Sequence, residues 1–157
     1  MSESGQIRIR PPQPGDEAAI GALSHRAGST AAPAWATIHS IEAEIEWARS
    51  VIDAPDPATA VLVAADADDR VLGFVATLPV TDLSGHKHGH IGSIAVAPEA
   101  EGRGIGKLLL AAAEEWCRHQ GFSDVTLHVY PGNERARQVY EHAGFELEWH
   151  RFRKELG

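Results

Sequence analysis

The stretch Gly102-Arg103-Gly104-Ile105-Gly106 divides two apolar patterns of different period. Before it, His90–Val96 reads as a buried strand. After it, Ile105, Leu109, Ala112 and Trp116 recur at helical spacing, and Gly121 is a suitable stop for a helix over Ile105–Gln120. A strand that enters a helix through three glycines makes a tight turn whose main-chain N–H groups face inward without side-chain obstruction. The helix start adds unpaired N–H donors and the positive end of its dipole. Such a loop suits a phosphate or diphosphate group. It is neither a P-loop nor a dinucleotide fingerprint. Only three residues separate Gly102 from Gly106, Leu108 follows Lys107, and the third glycine comes one residue early.

The remaining chain fits an α/β fold around this unit. Gln6–Arg10 alternates like a short strand, Asp16 is placed to cap a helix carrying Ala19, Ile20 and Leu23, and a second helix runs from Ser40 to Ile52. Ala60–Ala65 and Val71–Leu78 flank the polar turn Asp66–Arg70 as a hairpin. Val125–Tyr130 reads as a strand, Asn133 caps a helix to His142, Gly144 stops it, and Phe145–Arg153 alternates like a final strand. The order β-α-α-β-β-β-α-β-α-β predicts a mixed, mostly antiparallel sheet of six to seven strands, with one parallel step and helices on both faces.

Composition narrows the function. The 157 residues fit one domain, taken as 1–157. Cys117 is the only cysteine, so neither an intramolecular disulfide nor a cysteine zinc site can form. The net charge of −8 argues against a nucleic-acid partner, and the acidic excess is greatest in residues 1–80, where eleven acids face five bases. Met1–Gly5 lacks the basic and apolar stretches of a signal peptide, and no apolar run approaches the ~18 residues of a membrane span. We expect a cytoplasmic protein with no membrane partner.

The stretch His90–Phe145 resembles the GNAT superfamily of acyl-CoA-dependent N-acetyltransferases. Three blocks carry the resemblance: the strand Ile91–Val96 leading through Ala97-Pro98-Glu99, the loop Gly102–Gly106, and Asn133-x-x-Ala136-x-x-x-Tyr140-x-x-x-Gly144-Phe145. Glu101 departs from the family, which usually has Arg or Gln there. A carboxylate beside a diphosphate is unfavourable unless it points away, and Arg103 and Lys107 are the cations at hand to offset it, so weaker cofactor affinity is expected. The resemblance implies acetyl-CoA as cofactor and a splayed strand pair at its cleft. It implies cofactor contacts from Ile94, Ala95 and Val96, from Gly102, Arg103, Gly104, Ile105, Gly106 and Lys107, and from Asn133 and Tyr140. It makes the N–H of Val96 the oxyanion donor and Tyr140 the general acid. Tyr140 also lies on an apolar helical stripe with Ala136, Val139 and Ala143.

Many members carry an acid on the strand before the loop. This chain has none between Lys87 and Ala97, but His86, His88 and His90 alternate there. We take His90 as the base and His88 as second choice, with three solvated histidines or a water chain as the alternatives. No carboxylate or cysteine joins these histidines locally, so no metal is expected. Trp35, Glu42 and Glu46 are candidates for holding a small-molecule or peptide amine, cationic in keeping with the aromatic and acidic side chains. The same residues also fit an amphipathic helix with a solvated acidic side. The implied activity is direct acetyl transfer from acetyl-CoA to a primary amine. An idle acyl-CoA-binding module is the alternative, and a homodimer is left open.

Overall fold

The computed structural model describes residues 5–157; the reading of Met1–Ser4 lies outside them. One five-stranded sheet has the order β1 (Arg8–Arg10), β2 (Ala60–Ala65), β3 (Val71–Thr81), β4 (Lys87–Val96), β5 (Val125–Leu127). Each neighbouring pair is antiparallel except β4–β5, which is the parallel step. The helices are α1 (Glu17–Ser29), α2 (Ile41–Asp53), α3 (Ile105–His119) and α4 (Glu134–His142). Among the described residues no helix is long and apolar enough to cross a membrane.

The helices cover both faces of the sheet. On β3, Phe74 meets Trp47 of α2, ring centroids 6.2 Å apart. The next residue in the strand, Gly73, points the other way: a methyl there would touch Leu109 and Ile105 of α3. Successive strand residues face opposite sides, so α2 and α3 pack on opposite faces. The core under α3 is Ile105, Leu109, Leu110, Ala113 and Cys117, with Ala112 and Trp116 at its margin. The buried stripe is therefore rotated slightly from the spacing read in the sequence. On the other face α1 and α2 approach closely, since a methyl at Gly21 would overlap Ile45.

Local chemistry explains the helix ends. Ser40 caps α2 through its hydroxyl and the N–H of Ala43. Asn133 caps α4 in the same way through Ala136. Asp16 makes no such side-chain bond to α1. Its buried carboxylate instead accepts from the Arg10 guanidinium at 2.7 Å and from the Gln13 N–H at 2.9 Å. A charge-assisted pair is the stronger use of a buried carboxylate.

The expected sixth strand, Phe145–Arg153, is absent, and the sheet has five strands rather than six to seven. Alternation marks a segment able to form a strand, but a strand also needs an available edge. β5 is only three residues long. The segment instead runs with Leu147 and Trp149 exposed, and Arg153 lies over the ring of Trp35.

Candidate active site

The parallel ladder between β4 and β5 ends at Ile91↔Leu127. Beyond that point β4 continues to Val96, still paired on its other edge with β3. Its last residues, Ile94, Ala95 and Val96, pack side chains into the core while their β5-side edge carries no ladder. A bulge between Ala76 and Thr77 of the β3 pairing leaves Gly92 as the extra residue. The loop after β4 turns through Gly102 and Gly104, with φ of +79° and +75°. Nothing lies within 4 Å of where a methyl would stand on either glycine, so the turn is an open cradle. Gly104 is also the residue from which α3 begins, and Arg103 and Lys107 are exposed beside it.

His90 pairs with Leu78 of β3, which shares the face of Phe74, so His90 lies on the α1–α2 side. Its Nδ1 is 2.8 Å from the Thr126 hydroxyl, and that hydroxyl is 3.1 Å from His88 Nε2. His88 Nδ1 is 3.4 Å from the carbonyl of His86. A carbonyl only accepts, so His88 donates from Nδ1 and its Nε2 accepts from Thr126. Thr126 then accepts from His90 Nδ1–H, which leaves the lone pair of His90 on Nε2. Among the described residues no group hydrogen-bonds that nitrogen. Burial, then the neighbouring His128 and His88, hold the His90 pKa below the usual imidazole value.

Tyr140 is half-buried on α4, its ring edge-on to Phe145 at 6.1 Å. Burial raises its phenol pKa, so it stays protonated at neutral pH. No hydrogen bond joins it to His90 among the described residues. Glu101, at the entrance to the glycine turn, accepts from Arg26 of α1 and from Arg135 of α4, each at 2.6 Å. Arg103 and Lys107 take no part in holding it.

Residues 25–145 match the acetyltransferase (GNAT) family. The chain belongs to the GNAT acetyltransferase family. A mycothiol acetyltransferase of Propionibacterium freudenreichii is 38 % identical over 92 residues, 59 % of this chain and 29 % of the relative. N-acetyltransferase 8F1 of Rattus norvegicus is 34 % identical over 89 residues, 56 % of this chain and 40 % of the relative. The chain thus spans less than half the length of these curated relatives. Among solved structures, the aminoglycoside N-acetyltransferase AAC(6')-Iy in complex with CoA superposes with a TM-score of 0.76 at 19 % identity, covering 99 % of this chain and 98 % of that one.

That solved neighbour holds CoA, and the resemblance to the acetyltransferase (GNAT) family implies acetyl-CoA as the cofactor. The residues present fit it. The cradle at Gly102 and Gly104 has the free space and left-handed turns that main-chain donation to a diphosphate needs, and β4 has a bare edge next to it.

The acceptor candidates are less closely gathered. Trp35 stands edge-on to Tyr130 at 6.1 Å, just past β5, and the Arg153 guanidinium sits 4.8 Å above its ring. Glu42 is exposed, and Glu46 is exposed and paired with Arg49 on its own helix. Glu44 instead turns inward to Ser24 of α1 at 2.8 Å. With His39, Ala43 and Trp47 it lines a cavity of about 220 Å³. Sequence reasoning overlooked Thr126, Arg26 and Arg135. Thr126 is two residues from His128 on a strand expected to pair in parallel, which was the one available signal. Nothing local marks the two arginines.

Proposed function

We propose that this chain transfers the acetyl group of acetyl-CoA directly to the nitrogen of a cationic primary amine. The observation that carries the reading is the end of the β4–β5 ladder at Ile91↔Leu127, one residue from His90, which leaves Ile94–Val96 unpaired on that edge as β4 leads into the open glycine cradle. When bound, acetyl-CoA supplies an activated acyl carbon and a thiolate leaving group. Main-chain N–H groups of Gly102–Lys107 and the start of α3 hold the diphosphate, with Arg103 and Lys107 adding charge. The edge of Ile94–Val96 takes the pantetheine arm, and the Val96 N–H meets the developing oxyanion. Asn133 adds a polar contact and fixes the start of the Tyr140 helix.

His90 Nε2 accepts the proton of the attacking amine, and Thr126 and His88 keep its lone pair on that atom. Tyr140 gives its phenol proton to the departing sulfur. The ammonium first gives one proton to solvent and attacks as the neutral amine; a C–N bond then forms and a C–S bond breaks, His90 taking the second nitrogen proton and Tyr140 protonating the sulfur. Trp35 supplies an aromatic face for the acceptor's charge. The Arg153 guanidinium over that ring supports a cationic occupant.

A thiol-release assay over a panel of primary amines tests the reading. We expect turnover with at least one cationic amine. Tyr140→Phe should lower kcat ~10²-fold while acetyl-CoA affinity stays near normal. Full turnover in Tyr140→Phe would return Tyr140 to a packing role. Acetyl-CoA binding without turnover on any amine would leave an idle acyl-CoA module.

A further inference from the structure

The β4–β5 pairing brings together side chains far apart in the chain. The register His90↔Thr126 sets His88 and His90 on the same sheet face as Thr126, and His86, Asp124 and His128 adjoin them just beyond the strand ends. His86 Nε2 is 2.7 Å from Asp124 Oδ1, across a separation of 38 residues. The rings of His86 and His88 stack with centroids 5.6 Å apart. One donor atom from each of His86, His88 and Asp124 lies within 4.8 Å of the other two. Asp124 is the carboxylate that the local sequence around the histidines lacks.

We propose that His86, His88 and Asp124 bind one divalent transition-metal ion of the zinc type. Two imidazoles and a carboxylate are the borderline N and O donors that Zn²⁺ accepts, and three protein ligands leave a fourth position for water. Metal–ligand bonds of ~2.0–2.1 Å place tetrahedral donor atoms about 3.4 Å apart. The donor atoms lie within 4.8 Å of one another, and the His86–Asp124 pair at 2.7 Å must open slightly, so movements of roughly 1–1.5 Å are needed. His86 and Asp124 stand at the surface, 47 % and 43 % exposed, and can supply them. His88 is the fixed member, 7 % exposed and tied to the Thr126 hydroxyl through Nε2. That bond is the outer-shell contact that orients a ligating imidazole. The ligating atom is then Nδ1, whose present contact with the His86 carbonyl is the longer of the ring's two, at 3.4 Å.

A metal on His88 Nδ1 puts the ring proton on Nε2, which then donates to the Thr126 hydroxyl. That oxygen has two lone pairs, so it goes on accepting from His90 Nδ1–H, and the metal site leaves the His90 tautomer as it is.

The test uses the full chain without a polyhistidine tag, titrated with Zn²⁺ by calorimetry and with Co²⁺ by visible absorption. We expect one ion per chain and the ligand-field bands of four-coordinate cobalt. His86→Gln and Asp124→Asn should each weaken binding at least ~10-fold, whereas His142→Gln on α4 should not. No saturable binding up to about 0.1 mM, or binding that survives both substitutions, overturns the site. Should no amine be acetylated, the isotherms still decide the metal site, so the two readings fail separately.

Discussion

Glu101 shows how one residue can break a family pattern without spoiling the site. A free carboxylate would repel the diphosphate, but Arg26 and Arg135 hold both of its oxygens. The hydrogen bond from Arg135 is the main cause of its pKa lying below the usual carboxylate range, and Arg26 adds to it. A depressed folded pKa contributes stability above the unfolded value and loses it as pH falls through the folded value. Glu101→Gln should therefore melt below the wild type by a constant margin at neutral pH. The margin should narrow below about pH 4.3, which a melting series across pH would reveal. A margin independent of pH would mean that the charge contributes nothing. The expected compensation by Arg103 and Lys107 came from reading cations near in sequence. The two arginines that act come from helices 75 and 34 residues away, so no local pattern announces them.

Among the elements, the β4–loop–α3 unit was the most legible, because its periods change sharply and its glycines leave few alternatives. Gly104 begins α3 in a left-handed conformation, with open space where a side chain would project. Gly104→Val would force a β-branched residue into that region, at about 1–2 kcal/mol of strain, and would fill the cradle. The Tm should drop by several degrees, and the rise in Tm that saturating acetyl-CoA gives the wild type should vanish. A ligand-induced shift that persists in the variant would place the diphosphate elsewhere. The bulge at Gly92 is the counterexample. It sets which strand residues share a face with His90, yet the register of β3 against β4 had to be seen to place it.

For the whole molecule, the segment after α4 changes what the cleft presents. Leu147, Trp149, Phe152 and Leu156 are exposed, and Arg153 covers the Trp35 ring that we assign to the acceptor. An exposed cation–π contact is worth ~0.5–1 kcal/mol, so a cationic acceptor must displace a weak rival from its own chain. Arg153→Ala should lower KM for a cationic amine about two- to fivefold and leave KM for acetyl-CoA unchanged. Steady-state kinetics with both substrates varied would show it. An unchanged amine KM would remove Trp35 from the acceptor site.

Periodicity, glycine placement and capping residues act over a few bonds, so the chain by itself determined the elements up to α4, the parallel step and the glycine cradle. Ser40, Asn133 and Gly104 behave as their local chemistry requires. Tertiary structure decided everything that depends on a second segment. It turned Asp16 from a cap to a partner of Arg10, withheld an edge from Phe145–Arg153, and turned Glu44 inward while leaving Glu42 and Glu46 outside. It also joined Asp124 and Thr126 to the histidines of β4. The reason is the same in each case: a hydrogen bond, ion pair or strand edge needs two partners, and the distance between them in space is not encoded in either partner's neighbours.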